Sequence, residues 1–99
     1  MYRVNYNTRA NSDLMEIASY IADESDSIEI ALSVVERMKK RIDRRLEIFP
    51  FSGIVDSIVD GIEYRKMVVE KYSFIYEIIE ENDDIVIVTN VIHEKKDRK

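Results

Sequence analysis

The segment from Ile28 to Phe49 limits the fold more than any other. Ile28, Ala31, Leu32, Val35, Met38, Ile42, Leu46 and Phe49 recur at three- and four-residue spacing, which lines them along one side of a helix of about six turns, or roughly 34 Å. Pro50 stops it, because proline lacks the amide hydrogen and its ring clashes with the preceding turn. A stripe of this length has to be buried against a second layer, which the rest of the chain must supply.

Two parts of that layer precede the long helix. Tyr2, Val4 and Tyr6 alternate with Arg3 and Asn5, the period-two signature of a short strand with one buried face. Thr8 is placed to cap the first helix, in which Ala10, Leu14, Ile17, Ala18 and Ile21 share a face. That helix ends in Asp23-Glu24-Ser25-Asp26. Asp26 with Glu29 three residues later resembles a capping box and starts helix two. So short a connection makes the helices antiparallel neighbours, each burying its stripe against one sheet or against the other helix.

Beyond Pro50, residues 51–61 hold both glycines together with Ile54, Val55, Ile58 and Val59, and read as an ordered loop with room for a helical turn. Three β-type runs follow, Glu63 to Val69, Ser73 to Glu80 and Ile85 to His93, parted by Glu70-Lys71 and by Glu81 to Asp84. They make a meander. The resulting expectation is one α+β domain over residues 1–99, with an N-terminal strand and an antiparallel helical hairpin on a mostly antiparallel four-stranded sheet. Apolar residues of both parities in the last two runs imply that both sheet faces are partly covered. If the hairpin covers one, the long loop or a partner protein meets the other.

Composition narrows the function classes. With 45% hydrophobic residues among 99, the chain can build one core without staples. The absence of cysteine and the single histidine exclude a disulfide framework and a Cys/His zinc site. No apolar run reaches the length of a secretory signal or a membrane span, so the expected location is cytoplasmic. A net charge of −5 opposes non-specific attraction to nucleic acid. The charge is segregated, however. Arg37, Lys39, Lys40, Arg41, Arg44 and Arg45 form one basic group and Lys95, Lys96, Arg98 and Lys99 a second.

Across nearly the whole chain the order of elements resembles the RelE/ParE superfamily. The fragments that carry the likeness are Tyr2-x-Val4, Ala10-x-x-x-Leu14-x-x-Ile17-Ala18-x-Tyr20-Ile21 and Ile48-Phe49-Pro50-x-x-Gly53. They continue in Glu63-Tyr64-Arg65-Lys66, Lys71-Tyr72-x-x-x-Tyr76 and Val91-Ile92-His93-Glu94-Lys95-Lys96-Asp97. The resemblance implies the toxin of a bacterial type II toxin-antitoxin pair, with no cofactor and a cognate antitoxin as partner. Members either cut messenger RNA in the ribosome or inhibit DNA gyrase by binding it.

RNA cleavage by 2'-hydroxyl attack needs a proton acceptor, a proton donor and cations on the phosphate. Arg65 and His93 are the candidates, expected to converge at one end of the meander, with Lys66 and Tyr76 as weaker additions. Each has a plainer reading. Arg65 pairs with Glu63 or Glu77, and His93 is a solvated or hydrogen-bonding strand end. Where RelE-type nucleases carry further cations this chain has Met67 and Ser73, and it has no aromatic after Tyr76. The pattern is closer to ParE. The leading expectation is therefore a toxin that binds a protein target such as gyrase through Arg65, His93, Lys95 and Lys96, and that inhibits growth. A ribosome-dependent endoribonuclease and a non-toxic binding module are the alternatives. Excess apolar surface predicts a partner, either an antitoxin segment or a second copy.

Overall fold

Side-chain chemistry sets the ends of the helices. The structure, a computed structural model, describes residues 1–94. Strand β1 (Arg3–Tyr6) leads into α1 (Thr8–Ser25), and the cap is Asn7 rather than Thr8. Asn7 is still extended and its Oδ1 accepts from the Ala10 amide at 2.8 Å, which leaves Thr8 as the first helical residue. Asp26 likewise does not cap α2 (Ile28–Ile48). It closes α1 in a left-handed conformation, φ 56°, which aspartate tolerates better than most side chains. The cap of α2 is Ser27, whose hydroxyl accepts from the Ile30 amide at 3.1 Å.

After α2 comes a 3-10 turn at Pro50–Ser52 and then four strands, β2 (Ile54–Val59), β3 (Ile62–Val69), β4 (Tyr72–Ile79) and β5 (Ile85–His93). The sheet thus has five strands, in the order β1-β5-β4-β3-β2, with β1 parallel to β5 and every other pair antiparallel. The extra strand is β2, in the segment expected to be a loop. Asp60 and Gly61 turn it into β3 with φ of 52° and 81°, the positive pair that a tight hairpin matched to strand twist demands.

The core lies between the helical hairpin and one sheet face. Tyr72, Phe74 and Tyr76 of β4, Val86, Val88 and Val91 of β5 and Val69 of β3 pack with Ala10, Leu14 and Ile17 of α1 and Met38, Ile42 and Leu46 of α2. β5 changes parity on the way. Tyr76 pairs with Val88 but Ile75 with Asn90, so Thr89 is an inserted bulge residue, and Val88 and Val91 both reach the core although they stand three positions apart. This accounts for the mixed parity of the sequence in β5.

The long stripe is narrower than its spacing suggests. Ile28 and Leu32 are 70% and 58% exposed. Leu32 lies six residues before Met38, about 120° round the helix from it at about 100° per residue, and Ile28 is the first residue of α2. Phe49 leaves the helix as its C-cap (φ −127°, ψ 64°) and is exposed.

A polar cluster fixes α2 over β1. The Tyr6 hydroxyl donates to Asp43 Oδ1 at 2.8 Å while the Lys39 ammonium lies 4.6 Å from the centre of the Tyr6 ring. Burial raises the Asp43 carboxyl from its ordinary 3.8, opposed by the Tyr6 hydrogen bond and by Lys39. The folded chain then holds this proton more tightly than the unfolded chain, so the group's contribution is full in acid and is lost as pH rises through its raised value. The stability of the wild type minus that of Asp43→Asn should therefore fall as pH rises from the ordinary carboxylate range through the raised value and then level off. Urea titrations at successive pH values check this. A difference that rises with pH would show that the charged carboxylate is the favoured form.

Candidate functional site

Arg65 and Tyr76 face each other across β3 and β4 on the core side of the sheet, below the turn that follows α2. The buried Tyr76 hydroxyl donates to the Pro50 carbonyl at 2.7 Å and accepts from the Gly53 amide at 3.2 Å. Burial raises its phenol above the ordinary 10.0, more than the Gly53 amide and Arg65 lower it, so it keeps the proton it donates. Arg65 Nη1 donates to Phe51 O at 3.1 Å and Gly53 O at 2.7 Å, and Nη2 lies 3.3 Å from Glu63 Oε2. Its guanidinium also sits 5.2 Å from the Phe51 ring centre. With a side chain only 18% exposed, Arg65 is a clamp on the 50–53 turn. The plainer expectation, pairing with Glu63, is the one the geometry follows.

His93 lies elsewhere. It pairs with Tyr72, edge to face with ring centres 5.0 Å apart. The rows containing Arg65 and His93 are four residues apart on β4, from Tyr72 to Tyr76, roughly 13 Å along the strand, and the two residues stand on β3 and β5, two strand spacings apart across it. The expected convergence therefore does not occur, because Arg65 pairs well inside β4 while His93 pairs at its first residue. Lys66 emerges on the opposite face and approaches Glu94 at 3.7 Å. Glu94 also accepts from the buried Ser73 hydroxyl. Lys95 and Lys96 lie outside the described residues.

Among the clefts near these positions, two lie against the helices. One, of about 440 Å³, lies between α1 and the end of β5 and is lined by Arg9, Asp13, Glu16, Tyr20, Tyr72 and His93 among others. In it Asp13 is engaged twice, by Arg9 Nε at 3.2 Å and by the Val91 amide at 2.9 Å. The other, of about 410 Å³, runs between α2 and β3 and includes Arg41, Arg45, Gly53, Met67 and Val69. Within the basic group of α2, Arg37, Arg41 and Arg45 at four-residue intervals mark a single row. The role of Gly53 was signalled only by its place after Pro50.

Among the described residues no three His, Asp or Glu side chains are grouped to hold a metal ion, and no helix is long and apolar enough to cross a membrane. What the geometry of the described residues defines is a two-helix, five-strand α+β domain with a clamped turn and clefts beside both helices.

This architecture has known counterparts. The family model described as the ParE toxin of the type II toxin-antitoxin system, parDE, matches residues 4–98, and the chain belongs to that family. Among solved structures it is similar to a chain of a chromosomal ParDE toxin-antitoxin system from P. aeruginosa, with a TM-score of 0.67 and 16% identity, covering 94% of this chain and 96% of that one. At that identity the likeness speaks for the fold. A comparison with curated proteins found no match. The chain is thus of the ParE branch of the RelE/ParE superfamily, a type II toxin.

Proposed function

We propose that the chain acts by binding a protein target, DNA gyrase, and that a cognate antitoxin neutralises it. The observation that carries this reading is the commitment of Arg65. Phosphate-directed chemistry would need that guanidinium free and an acid-base group within hydrogen-bond reach. Here it holds two loop carbonyls and Glu63, and His93 lies in a different row of the sheet. Binding asks less of the same surface. Phe49, Phe51, Ile54, Val55, Ile58 and Val59 are all exposed around the turn and the edge strand β2, a concentration of exposed apolar side chains suited to a protein contact. It supports both a target and an antitoxin.

The purified chain should abolish supercoiling of relaxed plasmid by gyrase, and prior addition of its cognate antitoxin should restore it. Normal supercoiling at a large molar excess of the chain would remove gyrase as the target. Cleavage of messenger RNA in the ribosomal A site, seen instead, would transfer the chain to the nuclease reading.

A further inference from the structure

The sheet has two outer strands, and they are not alike. β1 is only four residues long and its approach is tied to α2, the Tyr2 amide donating to Glu47 O at 2.9 Å. β2 is six residues long, and all six are exposed. Among the described residues no strand pairs with its outer side, which leaves a row of backbone amides and carbonyls open to another strand. Ile54, Val55, Ile58 and Val59 are 46% to 68% exposed, and neither lysine nor proline, the usual guards of such an edge, occurs in β2.

What β2 carries instead is a bulge. Ile54 and Val55 pair with Lys66 and Arg65, but Ser57 pairs with Tyr64, so Asp56 is the inserted residue. Paired side chains project from the same side of a sheet. Val55 and Ile58, opposite Arg65 and Glu63, therefore share the helical side, and Ile54, Ser57 and Val59, opposite Lys66, Tyr64 and Ile62, share the other. Apart from its central Asp56-Ser57, the strand then has the same order of sides and the same apolar character from either end.

Symmetry gives that order a use. Two copies joined edge to edge by a two-fold axis perpendicular to the sheet run antiparallel with continuous faces, so residues that meet across the axis must project from the same side. In an unbroken strand Ile54 and Val59, five positions apart, would project oppositely and could not meet. The bulge removes that conflict. With the axis between Asp56 and Ser57, Ile54 meets Val59 of the second copy, Val55 meets its Ile58, and Asp56 meets its Ser57. A shift of one position either way sets Asp56 against its own copy or against Ile58, and both are unfavourable.

We infer that β2 is a self-recognition strand, along which two copies of the chain pair antiparallel, centred between Asp56 and Ser57, into one sheet with five strands from each. Every apolar side chain of the strand then meets an apolar one, and its single charge meets a hydroxyl. An isologous contact closes on itself and stops at two copies. The inference rests on β2 alone and holds whatever the target of the toxin. It makes self-pairing and any target contact along β2 mutually exclusive.

Sedimentation equilibrium of the purified whole chain from about 1 μM to about 1 mM should show a reversible rise from 11.7 kDa to twice that mass, with amide exchange in β2 slowing as the dimer forms. Ile58→Lys, at a side chain 68% exposed, should weaken association at least about tenfold and leave the melting temperature unchanged. The two Asp56 carboxylates stand diagonally across the axis, about 6 Å apart, so Asp56→Asn should tighten the dimer about threefold at low salt. Cross-linking reads the register, since the chain has no cysteine of its own. Ile54→Cys with Val59→Cys should oxidise in air to a covalent dimer, whereas Ile54→Cys alone, its two copies five positions apart along the pair, should not. A mass of 11.7 kDa at every concentration overturns the inference, as does a dimer indifferent to Ile58→Lys. A dimer that the double variant leaves uncross-linked, or growth beyond two copies, overturns it equally.

Discussion

Gly53→Ala should lower the stability of the folded chain by about 3 kcal/mol, the upper part of the range for forcing an extra methyl into a packed site. Conformational freedom is not the issue, since Gly53 has an ordinary extended backbone, φ −73° and ψ 160°. Space is. An added Cβ would come within 2.7 Å of the Lys66 carbonyl oxygen and closer still to the Tyr76 hydroxyl. The first is backbone of a paired strand and cannot swing away. The second is held between Pro50 O and the Gly53 amide, so displacing it breaks two buried hydrogen bonds and removes the surface on which Arg65 grips the turn. Gly61→Ala is the control. Gly61 has open space around it but a φ of 81°, so alanine there meets only left-handed strain, about 1 kcal/mol. At 4 to 8 °C per kcal/mol for a domain of this size, Gly53→Ala should melt roughly 12 to 24 °C below wild type. Comparable melting of the two variants would mean that the turn yields easily and that Arg65 is not a clamp.

That turn also shows where the sequence was legible and where it was not. Period-two and helical spacing place the helices and four of the strands, because those signals are local. β2 was hidden by its neighbours. Pro50 and Gly53 read as loop, although Asp60-Gly61 between Val59 and Ile62 is a hairpin signal in its own right. Its residues are all exposed, so no buried face enforced the alternation by which strands are recognised. For the site, residue type was readable but convergence was not. Arg65 and His93 stand at plausible strand positions, yet whether they meet depends on a register fixed by the Glu70-Lys71 turn, where Val69 pairs with Tyr72. The same holds for the cleft beneath Arg41 and Arg45. Its cations were visible in the sequence, whereas its floor on β3 depends on where β2 stops.

The apolar stripe of α2 supplies the second large effect, because members that look equivalent by spacing should respond in opposite ways. Ile42 is fully buried beneath the helix. Ile42→Ala should cost about 3 kcal/mol, the lost transfer energy plus the cavity left against Phe74 and its neighbours in the same core. Leu32 is 58% exposed and points about 120° away from Met38. Leu32→Ala should change stability by less than about 0.5 kcal/mol, since little packing is lost and alanine favours the helix at least as well as leucine. Urea midpoints of the two variants decide the matter. If Leu32→Ala destabilised the isolated chain as much as Ile42→Ala does, the whole stripe would be core and Leu32 would not count as exposed surface. If the two separate as expected, the apolar residues of α2 divide into a set that holds the fold and a set that remains available. That division lets a chain of this size keep one core and still present apolar surface to another protein.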